Sequence, residues 1–487
     1  MNRNRLYWML LIVLIGTGCY KDKGNYDYVP VNEIEILGID ENTRYDLWLG
    51  ENFTMPEPEI VFKDTTKAHT DLSYRWRLDK NVISTEKVLD VMVALKPNTF
   101  QGWGDFTVKD ERTGISYLKK FRVSILAPFD MGWVWLTENE GRTELNMYPF
   151  SGKNVLQNVY ANINGMDLSR ETWGLAEHFS QAGGSWQYAF LVVGENAVEI
   201  NKSNLTNEAW VKEEFVGGLC PADLQIATCG FIRNYSCIVT RDGRLYVRYA
   251  PGGYLYEGRY PSVPFRGDYK LLPMAVNNMP PAYNILLFYD ELQERYMYLY
   301  KGELRGFDEL KDAGGQFQVT GMGKVPVFMK SVAQQENTST FYVILRDKAG
   351  HYYEQIFDFT LAGDQATLKT VSENSFPMAL TEKACFTIQY KQKNLYIGQD
   401  KQLYGYEIGS GNPPQAYGLD FGDGEIVALE KFFWTGELGV MVQKSDKHDF
   451  YWLTEEHSVN KTVTDIPGKV KTLVFKVGPY ASFYSYY

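Results

Sequence analysis

The sequence predicts an all-β protein with two parts, a small β-sandwich and then a β-propeller of about seven blades. Aromatic residues make up 15% of the 487 residues, and this composition suits pleated, half-buried strands. Patterns typical of long helices are scarce. Pairs of apolar strands separated by a turn recur roughly every 45 to 55 residues over most of the chain, which is the period of propeller blades.

The first segment, residues 1–18, has the order of a secretory signal peptide. Residues 2–5 are basic and polar, residues 6–15 are apolar without a break, and residues 16–18 are small. The apolar run is shorter than the roughly 20 residues that a membrane-spanning helix needs. We therefore expect export, followed by removal of this segment.

The next residue is Cys19, and a cysteine in this position resembles the lipobox of bacterial lipoproteins. The resemblance implies cleavage before Cys19 and acylation of the new N-terminal residue, with palmitate among the acyl chains, so that the protein is anchored to a membrane. Gly16 departs from the lipobox, which has leucine three residues before the cysteine. The alternative is a secreted protein in which Cys19 has no special role.

Residues 19–32 are predicted to form a polar tether. Within it, Lys21 and Asp22 resemble the short acidic signal that sends lipoproteins of Bacteroidota to the cell surface. The resemblance implies a place in the outer membrane, facing the cell exterior. An ordinary solvated linker would have the same composition, and this alternative stays open.

The charge of the chain bears on its partners. The net charge is −11, and it becomes −13 when Arg3 and Arg5 leave with the signal peptide. Nucleic-acid binding depends on neutralising phosphates, so we expect no nucleic-acid partner. The same acidity argues against adhesion to anionic lipid head groups.

Four cysteines remain in the mature chain, namely Cys220, Cys229, Cys237 and Cys385. Disulfides can form in an exported protein, and Cys229 and Cys237 flank a predicted turn, so they could face each other across a hairpin. The alternative is that all four are buried thiols, which pack as small apolar residues.

Residues 33–127 are predicted to form the sandwich. The segment from Tyr74 to Asp79 (YRWRLD) alternates apolar and polar residues, which indicates a strand with one buried face. Further apolar strands follow at short intervals, with turn residues between them, and this spacing is typical of sandwiches.

Three segments resemble a known family. The strand from Tyr74 to Asp79 is similar to the Y-x-W-x-L-D strand of PKD-type immunoglobulin-like domains. The segment CYKDKGNYDY that begins at Cys19, and the segment GWVWLTEN at residues 132–139, resemble the PKD-like lipoproteins of Bacteroidota. The resemblance implies an immunoglobulin/PKD-like sandwich in a lipoprotein that is accessory to SusC/SusD-type outer-membrane importers.

Residues 128–487 are predicted to form the propeller, from seven strand pairs. These are residues 133–137 with 144–148, 188–193 with 197–201, 237–240 with 245–248, 285–289 with 296–300, 341–345 with 352–356, 386–390 with 394–397 and 403–407, and 438–442 with 450–453. Residues 470–477 are expected to close the ring beside an early strand. A second large sandwich, or several, is the alternative fold.

A search for catalytic motifs finds none. The sequence has no H-E-x-x-H, G-x-S-x-G, P-loop or Rossmann glycine motif, and its five histidines are scattered. We therefore predict no catalytic residue, no metal site and no cofactor beyond the lipid on Cys19. Two alternatives stay open. A pair of carboxylates in the propeller channel could hydrolyse glycosides. Asp420, Asp423 and Glu425 could bind calcium, although an interblade turn explains that segment better.

Aromatic residues near turn-rich segments are the candidate ligand-binding residues, because tyrosine and tryptophan combine a flat apolar face with a polar group. The candidates are Trp103, Trp173, Trp186, Tyr254, Tyr256 and Tyr260. The alternative for each is packing between propeller blades.

The resemblance leads to a functional expectation. We expect a surface-exposed lipoprotein that acts as a non-enzymatic accessory binding subunit of a SusC/SusD-type nutrient importer. Its expected partners are the outer-membrane TonB-dependent transporter, the SusD-like lipoprotein and a glycan or peptide oligomer. One alternative is a propeller glycoside hydrolase or lyase that acts on the imported polymer, and another is a purely structural subunit of the importer.

Overall fold

The computed structural model describes most of the chain after the predicted tether. The described residues are 31–48, 52–78, 80–92, 101–126, 129, 131–150, 152, 154–182, 185–202, 204–232, 234–250, 258–278, 284–389, 393–432 and 435–476. The predicted signal peptide, Cys19 and most of the predicted tether lie outside them. In these ranges, no helix has the length and apolar character needed to cross a membrane.

The chain divides into two compact units, both built from strands. The first unit comprises Met1–Leu47, Glu51–Val93 and Phe100–Ser124, and the second comprises Trp48–Gly50, Ala94–Thr99 and Ile125–Tyr487. The described helical segments are short. They are the α-helix α1 (Val159–Asn164) and the 3-10 turns Thr65–Lys67, Val211–Glu214, Val216–Gly218 and Phe307–Glu309.

The first unit is the sandwich. Its described strands are β1 (Ile34–Leu37), β2 (Arg44–Trp48), β3 (Asn52–Thr54), β4 (Glu59–Phe62), β5 (Leu72–Leu78), β6 (Asn81–Ser84), β7 (Asp90–Met92), β8 (Gln101–Asp110) and β9 (Ser116–Leu126). They form one five-stranded sheet in the order β2-β9-β8-β5-β6 and two strand pairs, β1-β4 and β3-β7.

The core of the sandwich lies on one face of the five-stranded sheet. Trp76, Phe106 and Phe121 are each 0% exposed, and the ring centroids of Trp76 and Phe106 are 4.3 Å apart. The Trp76 indole N–H donates to the carbonyl oxygen of Glu86 at 2.9 Å, which satisfies its buried polar atom. The predicted alternation is confirmed, because Trp76 and Leu78 are buried while Arg75 is exposed.

The second unit contains seven small sheets among its described residues, which we number as blades 1 to 7. Blade 1 is β10 (Gly132–Asn139) and β11 (Arg142–Pro149) with the last strand, β35 (Lys469–Lys476). Blade 2 is β12 (Thr172–Ala182), β13 (Ser185–Gly194), β14 (Val198–Asn201) and β15 (Asn207–Trp210). Blade 3 is β16 (Ile226–Ile232), β17 (Tyr235–Thr240) and β18 (Leu245–Tyr249).

The other four blades each have four described strands. Blade 4 is β19 (Val276–Asn277), β20 (Leu286–Asp290), β21 (Arg295–Tyr300) and β22 (Glu303–Gly306). Blade 5 is β23 (Lys324–Gln335), β24 (Thr338–Asp347), β25 (Tyr352–Ala362) and β26 (Gln365–Ser375). Blade 6 is β27 (Cys385–Gln389), β28 (Asn394–Gln399), β29 (Gln402–Glu407) and β30 (Gln415–Ala416). Blade 7 is β31 (Glu425–Lys431), β32 (Leu438–Gln443), β33 (Lys447–Leu453) and β34 (Val459–Pro467).

The seven blades form a closed ring. The first strands of consecutive blades contact one another in the order β12, β16, β19, β23, β27 and β31, and β35 contacts both β31 and β12. The last described strand, β35, is therefore the innermost strand of blade 1, where it pairs antiparallel with β10. This is a seven-bladed β-propeller closed by its C-terminal strand, and the predicted fold class is confirmed.

The four described cysteines, Cys220, Cys229, Cys237 and Cys385, are free thiols. Cys229 lies opposite Ile238 in the β16-β17 ladder, whereas Cys237 lies opposite Gly230. Cys229 and Cys237 therefore point to opposite faces of blade 3, and they pack in different apolar clusters. The hairpin disulfide considered from the sequence is not formed.

The boundary between blades 7 and 1 joins the two ends of the propeller, and the segment GWVWLTEN lies there as β10. Trp133 and Trp135 are 0% exposed in an aromatic cluster that includes Phe450. Gly439 allows this packing, because a Cβ atom at that position would lie 2.7 Å from the Trp133 ring.

A buried histidine connects the same two blades. The Trp135 indole N–H donates to His448 Nε2 at 3.0 Å, and His448 Nδ1 lies 3.0 Å from the carbonyl oxygen of Gly468. An indole can only donate and a carbonyl can only accept, so His448 is the neutral tautomer with its proton on Nδ1. Burial lowers the pKa of His448, in keeping with this assignment.

Candidate functional site

The longest described connections of the propeller lie at one end of the blades, which we call the upper face. Successive strands of a blade alternate in direction, so the turn between the second and third strands lies at the same end as the connection to the next blade. In blade 2 this turn is at Glu195 and Asn196, and the connection to blade 3 spans residues 211–225. These two segments enclose a cleft.

The cleft has a volume of about 210 Å³. Its floor is apolar, with Ala197, Val211, Leu224 and Ile226 buried in the cluster between blades 2 and 3. Its rim carries polar and charged groups of both signs, and they are Glu195, Asn196, Lys212, Asp223 and Gln225. An apolar floor with a few polar groups is the usual composition of a small-molecule site.

The wall of the cleft is a connection with an unusual backbone. Gly217 and Gly218 both have positive φ angles, 62° and 70°, which side-chain-bearing residues rarely adopt. Phe215, two residues before Gly217, forms an isolated parallel bridge with Tyr260. The connection that follows blade 3 therefore contacts the connection between blades 2 and 3. This contact holds the wall of the cleft in place.

Three charged side chains are buried beside the same apolar cluster. Arg248 Nη1 lies 3.0 Å from Glu214 Oε1, and Arg248 Nη2 lies 3.4 Å from Glu199 Oε1, with all three side chains 1% exposed. Glu199 belongs to blade 2 and Arg248 to blade 3, so the ion pairs join the blades. Neither carboxylate oxygen of Glu214 accepts a hydrogen bond from a described residue. Its contact with Arg248 is an ion pair without hydrogen-bond geometry.

Two carboxylates facing one guanidinium leave an excess negative charge when both are ionised. Burial, and then the neighbouring Glu199 carboxylate, raise the pKa of Glu214 to about 7, against the lowering effect of Arg248. A buried ion without full compensation is costly, so Glu214 holds a proton more readily than an exposed glutamate. The boundary between blades 2 and 3 therefore changes charge near neutral pH.

The structure brings together two of the predicted site residues, Trp173 and Tyr260, in the cluster between blades 2 and 3. Trp173 is half-buried beneath the guanidinium of Arg241, which lies 4.6 Å from the ring centroid. Its indole N–H is buried and has no acceptor among the described residues.

The prediction for Tyr260 needs correction. The residue is 1% exposed, its hydroxyl lies 3.0 Å from Ser236 Oγ, and the Arg248 guanidinium lies 4.8 Å from its ring centroid. Tyr260 therefore packs between blades, the alternative considered for each aromatic candidate, and it presents no face to a ligand at the surface.

The other candidates fall elsewhere. Trp103 is 48% exposed on β8 of the sandwich. Trp186 lies on β13 opposite Gln181, but its side chain is outside the described residues. Tyr254 and Tyr256 also lie outside the described residues.

The sequence did not single out the buried charges or the cleft. A usable signal exists, because Glu199 stands between Val198 and Ile200 in a short apolar strand, and Arg248 ends another. Charged residues within such strands are buried only when paired. Their mutual pairing depends on the packing of neighbouring blades, which the spacing does not show.

The described residues also bear on metal and thiol chemistry. They contain no group of three or more histidine, cysteine or acidic side chains arranged to hold a metal ion. Within the segment considered for calcium, Asp423 pairs with Lys401 at 3.4 Å and Glu425 pairs with Lys383 at 2.8 Å. Burial raises the pKa of the Cys220 thiol at the cleft, which disfavours the reactive thiolate.

Several solved structures are similar to this chain at low identity. A quinonprotein alcohol dehydrogenase-like protein from Bacteroides thetaiotaomicron is 14% identical over 92% of this chain and 100% of that chain, with a TM-score of 0.44. TolB from Acinetobacter baumannii is 8% identical over 78% of this chain and 81% of that one, with a TM-score of 0.32. The β-propeller domain of Cps50 (Swd1) from Myceliophteria thermophila is 9% identical over 64% and 91%, with a TM-score of 0.41.

The comparison of sequences gives two findings. No curated protein matches the chain significantly. Residues 19–171 match the PKD-like family, and the matched region contains all three segments on which the resemblance was based. This part of the chain therefore contains a PKD-like family domain.

Proposed function

We propose that the protein is a surface-exposed lipoprotein of the outer membrane and a non-enzymatic accessory binding subunit of a SusC/SusD-type, TonB-dependent nutrient importer. The observation that carries the binding role is the cleft between blades 2 and 3, with its apolar floor and its polar rim. The lipobox-like segment supports the anchor, and the PKD-like match begins at Cys19, the residue that would carry the lipid.

The size of the cleft limits its ligand. Its volume of about 210 Å³ is below the roughly 300 to 1,000 Å³ of pockets that enclose a drug-sized molecule. We propose that it holds one unit of a longer glycan or peptide oligomer, with the rest of the oligomer extending along the upper face. Charges of both signs on the rim suit a polar ligand better than an apolar one.

Affinity purification of the full chain from detergent-solubilised outer membrane tests the importer assignment. We expect the TonB-dependent barrel and its SusD-like lipoprotein to be the main co-purifying proteins, identified by mass spectrometry. The Cys19→Ala variant provides the matched control for the anchor, because it should leave the membrane fraction. Recovery of the chain without any barrel protein would contradict the assignment.

A second measurement tests the use of the cleft. Ala222 is exposed and lines the cleft, so Ala222→Trp should fill it without disturbing the core. Ala349, an exposed alanine in the turn between the second and third strands of blade 5, provides the control Ala349→Trp. We expect Ala222→Trp to weaken oligomer binding at least about tenfold and Ala349→Trp to leave it unchanged. Equal binding by both variants would show that the cleft is not the ligand site.

A further inference from the structure

The sandwich has a second surface with a distinct composition, the outer face of its five-stranded sheet. The buried residues Trp76, Phe106 and Phe121 define the inner face, so the alternate positions of β5, β8 and β9 point outward. The ladders place Asp105 between Arg77 and Lys120, and they place Trp103 opposite Arg122. We call this surface the basic face.

The basic face is positively charged, whereas the chain as a whole is acidic. Its outward positions on β5, β8 and β9 carry five cationic residues, namely Arg75, Arg77, Lys109, Lys120 and Arg122, and one acidic residue, Asp105. The whole chain carries a net charge of −11. Such a concentration of positive charge on an acidic protein indicates an anionic partner.

Three of these cations are available for a partner. Arg77 is held by Asp105 at 3.0 Å, and Lys109 pairs with Glu111 at 2.6 Å in the adjoining turn. In contrast, Arg75, Lys120 and Arg122 are exposed and form no ion pair with any described carboxylate. Arg75 on β5 and Lys120 on β9 lie on either side of β8 and are offset by two residues along it, which places them about 12 Å apart at the usual strand geometry.

An exposed aromatic ring accompanies the free cations. Trp103 is 48% exposed, and the guanidinium of Arg122 lies 5.1 Å from its ring centroid. The cation covers one side of the indole, and the rest of the ring remains open to solvent. An open indole packs well against the C–H face of a sugar ring, as other flat apolar groups do.

We propose that the basic face binds an acidic glycan, with uronate carboxylates on Arg75, Lys120 and Arg122 and a sugar ring on Trp103. The Arg77–Asp105 pair shows the carboxylate geometry that this sheet supports, because Arg77 Nε lies 3.1 Å from both Asp105 oxygens. The exposed apolar residues of this face, Val82, Trp103 and Leu118, are too few for insertion into a bilayer. This proposal is independent of the importer assignment, because it concerns the other structural unit and needs no protein partner.

Binding of a defined oligogalacturonide by the full chain in detergent, measured by calorimetry, tests the proposal. The test variant Arg75→Gln/Lys120→Gln removes two free cations. The control variant Lys369→Gln/Lys461→Gln removes two exposed lysines from the outer strands of blades 5 and 7, so both variants have the same net charge. We expect the test variant to bind at least about tenfold more weakly and the control variant to bind as the wild type does.

Variants at Trp103 distinguish the binding of a glycan from the binding of any other polyanion. We expect Trp103→Ala to weaken oligogalacturonide binding about fivefold or more, and to leave the weaker binding of polyglutamate unchanged, since polyglutamate has carboxylates but no sugar ring. Trp103→Phe should restore most of the loss. Wild-type affinity for the oligogalacturonide no higher than for polyglutamate would overturn the proposal. Charge-dependent binding to phosphatidylglycerol nanodiscs without oligogalacturonide binding would assign the face to a membrane surface instead.

Discussion

Two boundaries between propeller blades bury polar groups in opposite ways. Between blades 7 and 1, both ring nitrogens of His448 are hydrogen-bonded. Nε2 accepts from the Trp135 indole N–H, and Nδ1 donates to the Gly468 carbonyl oxygen. Between blades 2 and 3, Glu199 and Glu214 share the single guanidinium of Arg248. The first boundary therefore has one well-determined protonation state, whereas the second has an excess carboxylate whose protonation changes near neutral pH.

The two boundaries also differ in their surroundings. The boundary between blades 7 and 1 closes the ring, and its satisfied hydrogen bonds suit a permanent joint. The boundary between blades 2 and 3 lies beside the candidate cleft, and its charge balance depends on pH. Perturbed ionisation next to a cleft is a frequent property of binding sites.

The largest effect is expected for Arg248→Met, which removes the guanidinium that contacts both buried carboxylates. Breaking a buried ion pair leaves an uncompensated charge, so we expect a loss of about 3 to 5 kcal/mol in the free energy of unfolding. Urea denaturation at pH 7.5 measures it. Arg244, whose side chain is 28% exposed and pairs with Asp223 and Asp242, provides the control Arg244→Met, which should lose less than about 1 kcal/mol. Similar losses in both variants would remove the distinction between the two boundaries.

The pH dependence of stability is the next largest effect. The pKa of Glu214 is raised to about 7 in the folded protein, so the folded state keeps a proton that the unfolded chain releases above about pH 4.5. This contribution to stability is complete below about pH 4.5 and is lost as the pH rises to about 7. The loss is on the order of 3 to 4 kcal/mol, at 1.36 kcal/mol for each pKa unit.

Glu214→Gln tests whether stability falls as the pH rises, because glutamine resembles the protonated acid at every pH. We expect the variant to match the wild type near pH 5 and to be the more stable of the two at pH 8, in unfolding measured across that range. Glu213→Gln, at the exposed neighbouring position, provides the control and should leave the pH profile unchanged. A wild-type profile that stays parallel to that of Glu214→Gln would mean that Glu214 is ionised throughout.

The sequence predicted the fold through the strands that are most deeply buried. The central pair of each blade is apolar on both faces, as in β20, where all five residues are buried, and these strands produced the seven predicted hairpins. Most inner and outer strands were missed, because they are short like β19 or exposed like β34, whereas the inner strands β27 and β35 were predicted. Their positions follow from pairing within a blade, which local composition does not record.

The candidate site was less predictable than the fold. The same reasoning selected both Trp173, which is half-buried, and Tyr260, which is buried. Tyrosines in glycine- and proline-rich loops are typical of both binding surfaces and interblade packing, so composition does not separate the two. Glu199 and Arg248 are 49 positions apart and meet only because adjacent blades pack face to face.

The smallest of the three effects is expected at the joint between blades 7 and 1. Trp135→Phe keeps an aromatic ring against Phe450, whose centroid is 5.7 Å away, but leaves His448 Nε2 without its donor. An unsatisfied buried acceptor and a small cavity together should cost about 2 to 3 kcal/mol at pH 7.5. Trp103→Phe, at an exposed position, provides the control and should stay within about 0.5 kcal/mol.

The pH dependence of this variant distinguishes the joint from the boundary between blades 2 and 3. The pKa of His448 is lowered in the folded protein, so its contribution to stability is present above its unfolded pKa and is lost as the pH falls below about 6.5. Removing the indole donor frees Nε2 to accept a proton, which reduces that loss. We therefore expect the difference between wild type and Trp135→Phe to shrink from pH 7.5 to pH 5, whereas the difference for Glu214→Gln should grow from pH 5 to pH 8. A Trp135→Phe difference that is constant with pH would show that the indole does not control the protonation of His448.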